Sequence, residues 1–176
     1  MNEAIVWKAV TLTEHEMRVA ALIGAERQLQ SAGSPGTKHG IPSLDPWTMH
    51  LNGVAGEIAV AKVLGRYWPP SVGTFRSQPD IPPGPGRPAS VEVRWISRVD
   101  YDLKIRGDDH DDSIYVLVSG NAPNMVLHGW FLCKDAKKKE FWTDLGNGRP
   151  GLWCVPKRQL HGPQGRVPDG FVTAIV

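Results

Sequence analysis

The sequence predicts an α+β domain with a sandwich-like layering, in which two leading helices cover one face of a mixed or antiparallel central sheet. Three observations point there. Helical spacing runs through residues 13–31 and again through 48–64. Charged and β-branched residues then alternate in Val91-Glu92-Val93-Arg94-Trp95. Finally, the apolar runs Ile114–Val118 and Val126–Cys133 read as strands buried in a sheet. At 176 residues, with 41% hydrophobic and 22% charged side chains, the chain fits one globular domain over 1–176 and can bury a real core.

The first helix starts at Thr13, where Thr13 and Glu16 form a capping box ahead of a string rich in Ala, Leu, Glu, Arg and Gln. Ser31 to Gly36 ends it, and Gly33 to Trp47 reads as a surface loop docked by Trp47. In the second helix Leu51, Val54, Ala55, Ile58 and Ala61 share a face, and Gly65 supplies the stop. Gly53 and Gly56 interrupt it on one side. Each costs about 1 kcal/mol relative to Ala, which predicts a close backbone approach there. Glu57 lies beside that approach, at the edge of the buried stripe.

Val72 to Arg76 is a candidate short strand, and the proline-rich run Pro82 to Pro88 can only be a loop, leading from Asp80 to the Val91 strand. Tyr101 to Arg106 alternates as a half-buried strand. The part over 126–176 is strand-rich, with Lys137-Lys138-Lys139 as a turn or helix end. Phe141-Trp142, Leu152–Val155 and Phe171–Val176 are further short strands, and the Ala4–Trp7 cluster is a candidate edge strand. Trp130, Trp142 and Trp153 are expected in the core, and His128 as a packed histidine.

Composition narrows the function classes. Twenty basic against eighteen acidic residues leave a formal charge of +2. The excess lies entirely beyond residue 70, and the end of the chain carries Arg149, Lys157, Arg158 and Arg166 against Asp169. That balance is compatible with a polyanionic partner without demanding one. No apolar run approaches the ~18–20 residues of a membrane helix, and no signal-like segment opens the chain. Cys133 and Cys154 lack neighbouring zinc ligands, so they read as buried thiols of a reduced, cytoplasmic protein. A homodimer is compatible with the sequence but not readable from it.

Glu57 on the second helix, Asp80 at a strand end and Glu92 on the next strand are the candidate site. In a strand Glu92 and Arg94 share one face, roughly 7 Å apart along the chain. Hard cations such as Mg²⁺, with Mn²⁺ as a substitute, take carboxylate oxygens and waters, and phosphodiester cleavage needs such an ion to polarise the phosphate and activate water. Asp80 and Glu92 would share the ion, with the Val93 carbonyl as a further ligand, and Arg94 would meet the phosphate charge. The duller readings are a solvated Glu57, an Asx turn at Asp80 and an exposed Glu92–Arg94 pair. Asp108-Asp109-His110-Asp111-Asp112 is a second acidic cluster, read first as a solvated loop near the sheet edge.

Gly53-Val54-Ala55-Gly56-Glu57, then Pro79-Asp80, then Glu92-Val93-Arg94, resembles the PD-(D/E)XK nuclease superfamily over about residues 48–118, in the style of its small phage-type members. The resemblance implies a restriction-endonuclease-like αβββαβ core, metal binding at the positions of Glu57, Asp80 and Glu92, and cutting of DNA, endonucleolytic rather than exonucleolytic. Arg94 departs from the lysine usual in that family. An arginine stays charged and offers donors, so it can stabilise charge but cannot serve as a base. The alternative is a nuclease-fold protein that has lost cutting and binds nucleic acid or a protein.

Overall fold

The computed structural model describes residues 8–32, 44–73, 77–146 and 148–162. In chain order they form β1 (Lys8–Thr11), α1 (Glu14–Ala32), α2 (Pro46–Leu64), β2 (Val91–Ile96), β3 (Leu103–Ile105), β4 (Ile114–Asn121), β5 (Asn124–Leu132), α3 (Cys133–Ala136), β6 (Trp142–Thr143) and β7 (Leu152–Val155). A four-stranded sheet runs β1-β5-β4-β2, and a smaller one runs β3-β7-β6. The large sheet is mixed: β2 lies parallel to β4, whereas β4–β5 and β5–β1 are antiparallel. The architecture is α+β, as the pattern predicts.

Local chemistry sets the helix ends. The Thr13 N–H donates to Glu16 Oε2 at 2.7 Å and the Glu16 N–H to Thr13 Oγ1 at 3.3 Å, a closed capping box. α2 starts two residues ahead of the expected Thr48, because Asp45 caps it by accepting the Thr48 N–H at 2.8 Å and Pro46 fits the first turn. It stops at Gly65, which adopts φ 58°, while the Arg66 N–H returns to the Ala61 carbonyl at 3.0 Å.

Alternation along β4 builds two cores. Ile114, Val116 and Val118 pack with Val54, Ala55, Ile58 and Ala59 of α2, and Tyr115 and Leu117 pack with Leu103, Ile105, Phe131 and Val155 beneath the small sheet. Helices therefore cover one face of the large sheet, and the other faces the small sheet. α2 is buried on nearly all sides because α1 lies on its back.

The glycine expectation is corrected. A Cβ at Gly53 would meet nothing within 4 Å, and one at Gly56 would make ordinary contact with Val118 and Val93 of the sheet, at 3.5 and 3.6 Å. The tight crossing is at Gly24 of α1, where a Cβ would stand 3.0 Å from the Leu51 Cα. Trp47 is half-exposed rather than docked, and Trp142 is 49% exposed, whereas Trp130 is buried at 2%. His128 is buried against Ser119, 2.6 Å from its hydroxyl, and both cysteines are free thiols.

β3 is shorter than the expected strand, with Lys104 outward between buried Leu103 and Ile105. Val72 and Gly73 form a bend, and 74–76, the Ala4–Trp7 cluster, most of the 33–47 loop and Phe171–Val176 lie outside the described residues. From α2 onward the order is α2-β2-β3-β4-β5-α3, and the parallel neighbours β2 and β4 are joined through β3 and a loop with no helical turn. No helix among the described residues is long and apolar enough to cross a membrane.

Candidate functional site

β2 is the outer strand of the large sheet, and its free edge organises the candidate residues. The proline-rich loop folds back through a Gly84–Arg87 bridge, so that Ile81 and Val91 exchange both backbone hydrogen bonds at 3.0 Å. Two residues along, Val93 again turns its N–H and carbonyl to the same edge. The Asp80 carboxylate accepts that N–H at 2.8 Å.

Period two then separates the acids. Val91 and Val93 enter the core under α2, so Glu92, Arg94 and Ile96 project from the opposite face. Glu57 stands on the α2 side, Glu92 on the other, and Asp80 at the edge between them. Burial raises Asp80 well above the usual carboxylate range, and the charges of Glu57 and Glu92 add to the rise, against the Val93 N–H and Arg94. The structure thus brings the three carboxylates within electrostatic reach. Among the described residues, however, no three His, Cys, Asp or Glu side chains stand close enough together to hold an ion.

The two glutamates differ in their partners. Glu57, 5% exposed, receives Arg27 Nη1 on Oε1 at 2.5 Å and Arg27 Nη2 on Oε2 at 2.9 Å, and the Trp68 indole N–H also donates to Oε2 at 2.9 Å. Both its oxygens are committed, so it enters the site as a held acid and not as an open ligand. Glu92, 9% exposed, has no hydrogen-bond or ion-pair partner among the described residues. It borders a cleft of about 280 Å³ whose other walls come from Ser77 to Pro79, Ser90 and His110 to Ser113. Burial pushes its carboxyl up to about 7; Arg94 opposes the rise, and Asp109 and Glu57 add to it.

Arg94 is fixed on the same face as Glu92. Its Nη2 donates to Asp109 Oδ1 at 2.7 Å, and its guanidinium lies 4.8 Å from the centroid of the Tyr115 ring. The other Asp109 oxygen accepts the Arg106 N–H at 2.8 Å. Lys137 ties the same loop down by donating to the Asp109 carbonyl at 2.6 Å and to Asp111 Oδ1 at 2.7 Å. The acidic run is therefore no free loop: Asp109 belongs to the site, and Asp111 and Asp112 form the rim of the cleft.

Arg27, Trp68, Tyr115 and Lys137 are absent from the sequence-derived set. None carries a local signal, since each gains its role from a partner distant in sequence. The donor set that remains open is Asp80, with one oxygen committed, Glu92 and the Val93 carbonyl. Mg²⁺ commonly binds through one or two carboxylates plus waters, so a single ion here would call on Asp80 and Glu92, while Glu57, with both oxygens held, is not free to join them. No protein-family model, curated protein or solved structure matches the chain.

Proposed function

We propose that this chain is a metal-dependent nuclease that hydrolyses phosphodiester bonds, with DNA as the substrate and Mg²⁺ or Mn²⁺ as the ion. The observation that carries the reading is Glu92: a buried, partnerless carboxylate at the wall of a cleft, beside a fixed arginine and near Asp80. An uncompensated buried acid is costly, and a structure tolerates it most readily where a cation or a proton is to be bound.

Asp80 and Glu92 would hold the ion with the Val93 carbonyl. Bound there, a divalent ion would polarise the phosphate and lower the pKa of a coordinated water. The chain's own groups do the rest. Arg94, aimed by Asp109 and Tyr115, meets charge that develops on the phosphate and moves no proton. Asp80 is oriented by the Val93 N–H. Glu92 acts as the carboxylate, so its function is present above about 7 and lost as it takes up a proton. α2, the Asp80–Ile81 segment and β2 would be the part that corresponds to a restriction-endonuclease-like core.

One observation favours the non-cutting reading, a binding protein for nucleic acid or another protein. Among the described residues the cleft walls carry Glu92, Asp111 and Asp112 and no lysine or arginine, an unfavourable lining for a polyanion without cations. The deciding experiment incubates the purified chain with circular and linear DNA in Mg²⁺ or Mn²⁺. Cutting of the circle that stops in EDTA and in Glu92→Ala is the expected result. DNA bound but left intact in either ion would establish the second reading.

A further inference from the structure

The strongest feature outside the open donor set is Arg27, which reaches from α1 to the α2 side of the site. Each of its three guanidinium nitrogens is engaged: Nε donates to the Ser71 carbonyl at 2.9 Å, and Nη1 and Nη2 grip the two Glu57 oxygens. The Arg27 and Glu57 side chains are 19% and 7% exposed, so the pair is desolvated and each charge depends on the other. Asp80 also acts on Arg27, which places this fixed positive charge near two of the three carboxylates.

A cation has two ways into such a cluster. It can come from solution as a metal ion, or from the chain as a side chain. On the α2 side the chain supplies it, in the planar, bidentate form that suits a carboxylate. On the opposite face Glu92 has no protein countercharge in contact, since Arg94 is committed to Asp109.

We infer that Arg27 stands in place of a second metal ion: the site takes a single divalent cation, on Asp80 and Glu92, and Glu57 is a latent ligand that Arg27 keeps closed. The inference rests on the metal-dependent reading proposed above. It makes Arg27 a positioning residue whose loss frees the Glu57 carboxylate to take a second cation.

The test counts ions, independently of cutting. Mn²⁺ is titrated into the full chain and followed by electron paramagnetic resonance and calorimetry. Wild type is expected to bind about one ion per chain, Arg27→Met about two, and the double variant Arg27→Met/Glu57→Gln about one again. Because Arg27→Met leaves Glu57 buried and unpaired, its stability is measured by urea unfolding with and without Mn²⁺. The ion should raise its midpoint more than it raises that of wild type, by linkage to the new site. Two ions in wild type, or an Arg27→Met variant that gains neither an ion nor extra Mn²⁺ stabilisation, would overturn the inference and leave the nuclease reading standing. Wild type that binds no divalent ion would overturn both.

Discussion

Glu57 and Glu92 are glutamates of similar burial at one sheet edge, yet only one has its charge balanced by contact. Glu57 has a bidentate arginine and an indole donor; Glu92 has a cleft. A buried acid with every lone pair engaged is part of the architecture, because removing its partner costs about 3–5 kcal/mol. A buried acid with none engaged is a cost the fold carries for another purpose. The difference separates the supporting residues of this site from those that would touch a ligand.

The sharpest way to break that contrast is Glu92→Gln, which keeps shape and removes charge. Cutting should fall by at least about a hundredfold, the scale of losing a charge that holds or polarises the reacting group. Stability should move the other way. Folded Glu92 keeps its proton up to about 7, and the unfolded chain releases it near 4.5, so between these values the folded state binds more protons. Wild-type stability therefore declines as pH rises through that window, and Glu92→Gln should gain about 1–3 kcal/mol at about pH 8 and nothing near pH 4. Urea unfolding across pH checks it. Equal stability of both proteins at pH 8 would show that Glu92 finds a countercharge in solution.

A smaller effect is expected from the clamp on Arg94. Asp109→Ala removes both the ion pair and the acceptor for the Arg106 N–H, and should cost about 1–3 kcal/mol. Asp109→Asn retains hydrogen-bonding capacity and should cost less. If Asp109 aims Arg94 at a phosphate, cutting should fall in kcat with KM little changed. A change confined to KM would instead mark Asp109 as part of the entry to the cleft.

The helices give effects on stability alone, with no change in cutting expected. Gly24→Ala should destabilise by about 1–3 kcal/mol, because its methyl meets the backbone of Leu51. Gly53→Ala meets nothing and should stabilise by up to about 1 kcal/mol. Thermal melting of the two variants reads both signs directly.

These two glycines also show what the sequence could and could not reveal. Helix starts and stops were legible at Thr13, Glu16 and Gly65 because capping acts within a few residues. The alternation of Glu92 and Arg94 was legible because a strand has a fixed period, and the loop from Asp80 to β2 because prolines exclude alternatives. Gly53 looked like the contact point, but the contact formed at Gly24, since helix crossing depends on how two surfaces meet. Arg27 was hidden for the same reason: its carboxylate lies thirty residues away, on a different helix. Asp109 sat in a recognised acidic run, yet only the fold of the 106–113 loop distinguishes it from its neighbours.

The bond from the Val93 N–H to Asp80 has a consequence for how copies of this chain behave toward one another. β2 ends the sheet, and an outer strand with open N–H and carbonyl groups is a template on which another chain can add a strand. Ile81 covers that edge at Val91, and Asp80 covers it at Val93 while placing a negative charge there. The acid proposed to hold the ion thus also guards the chain against edge-to-edge self-association. Removing it bares the backbone in the same stroke as it disables the site.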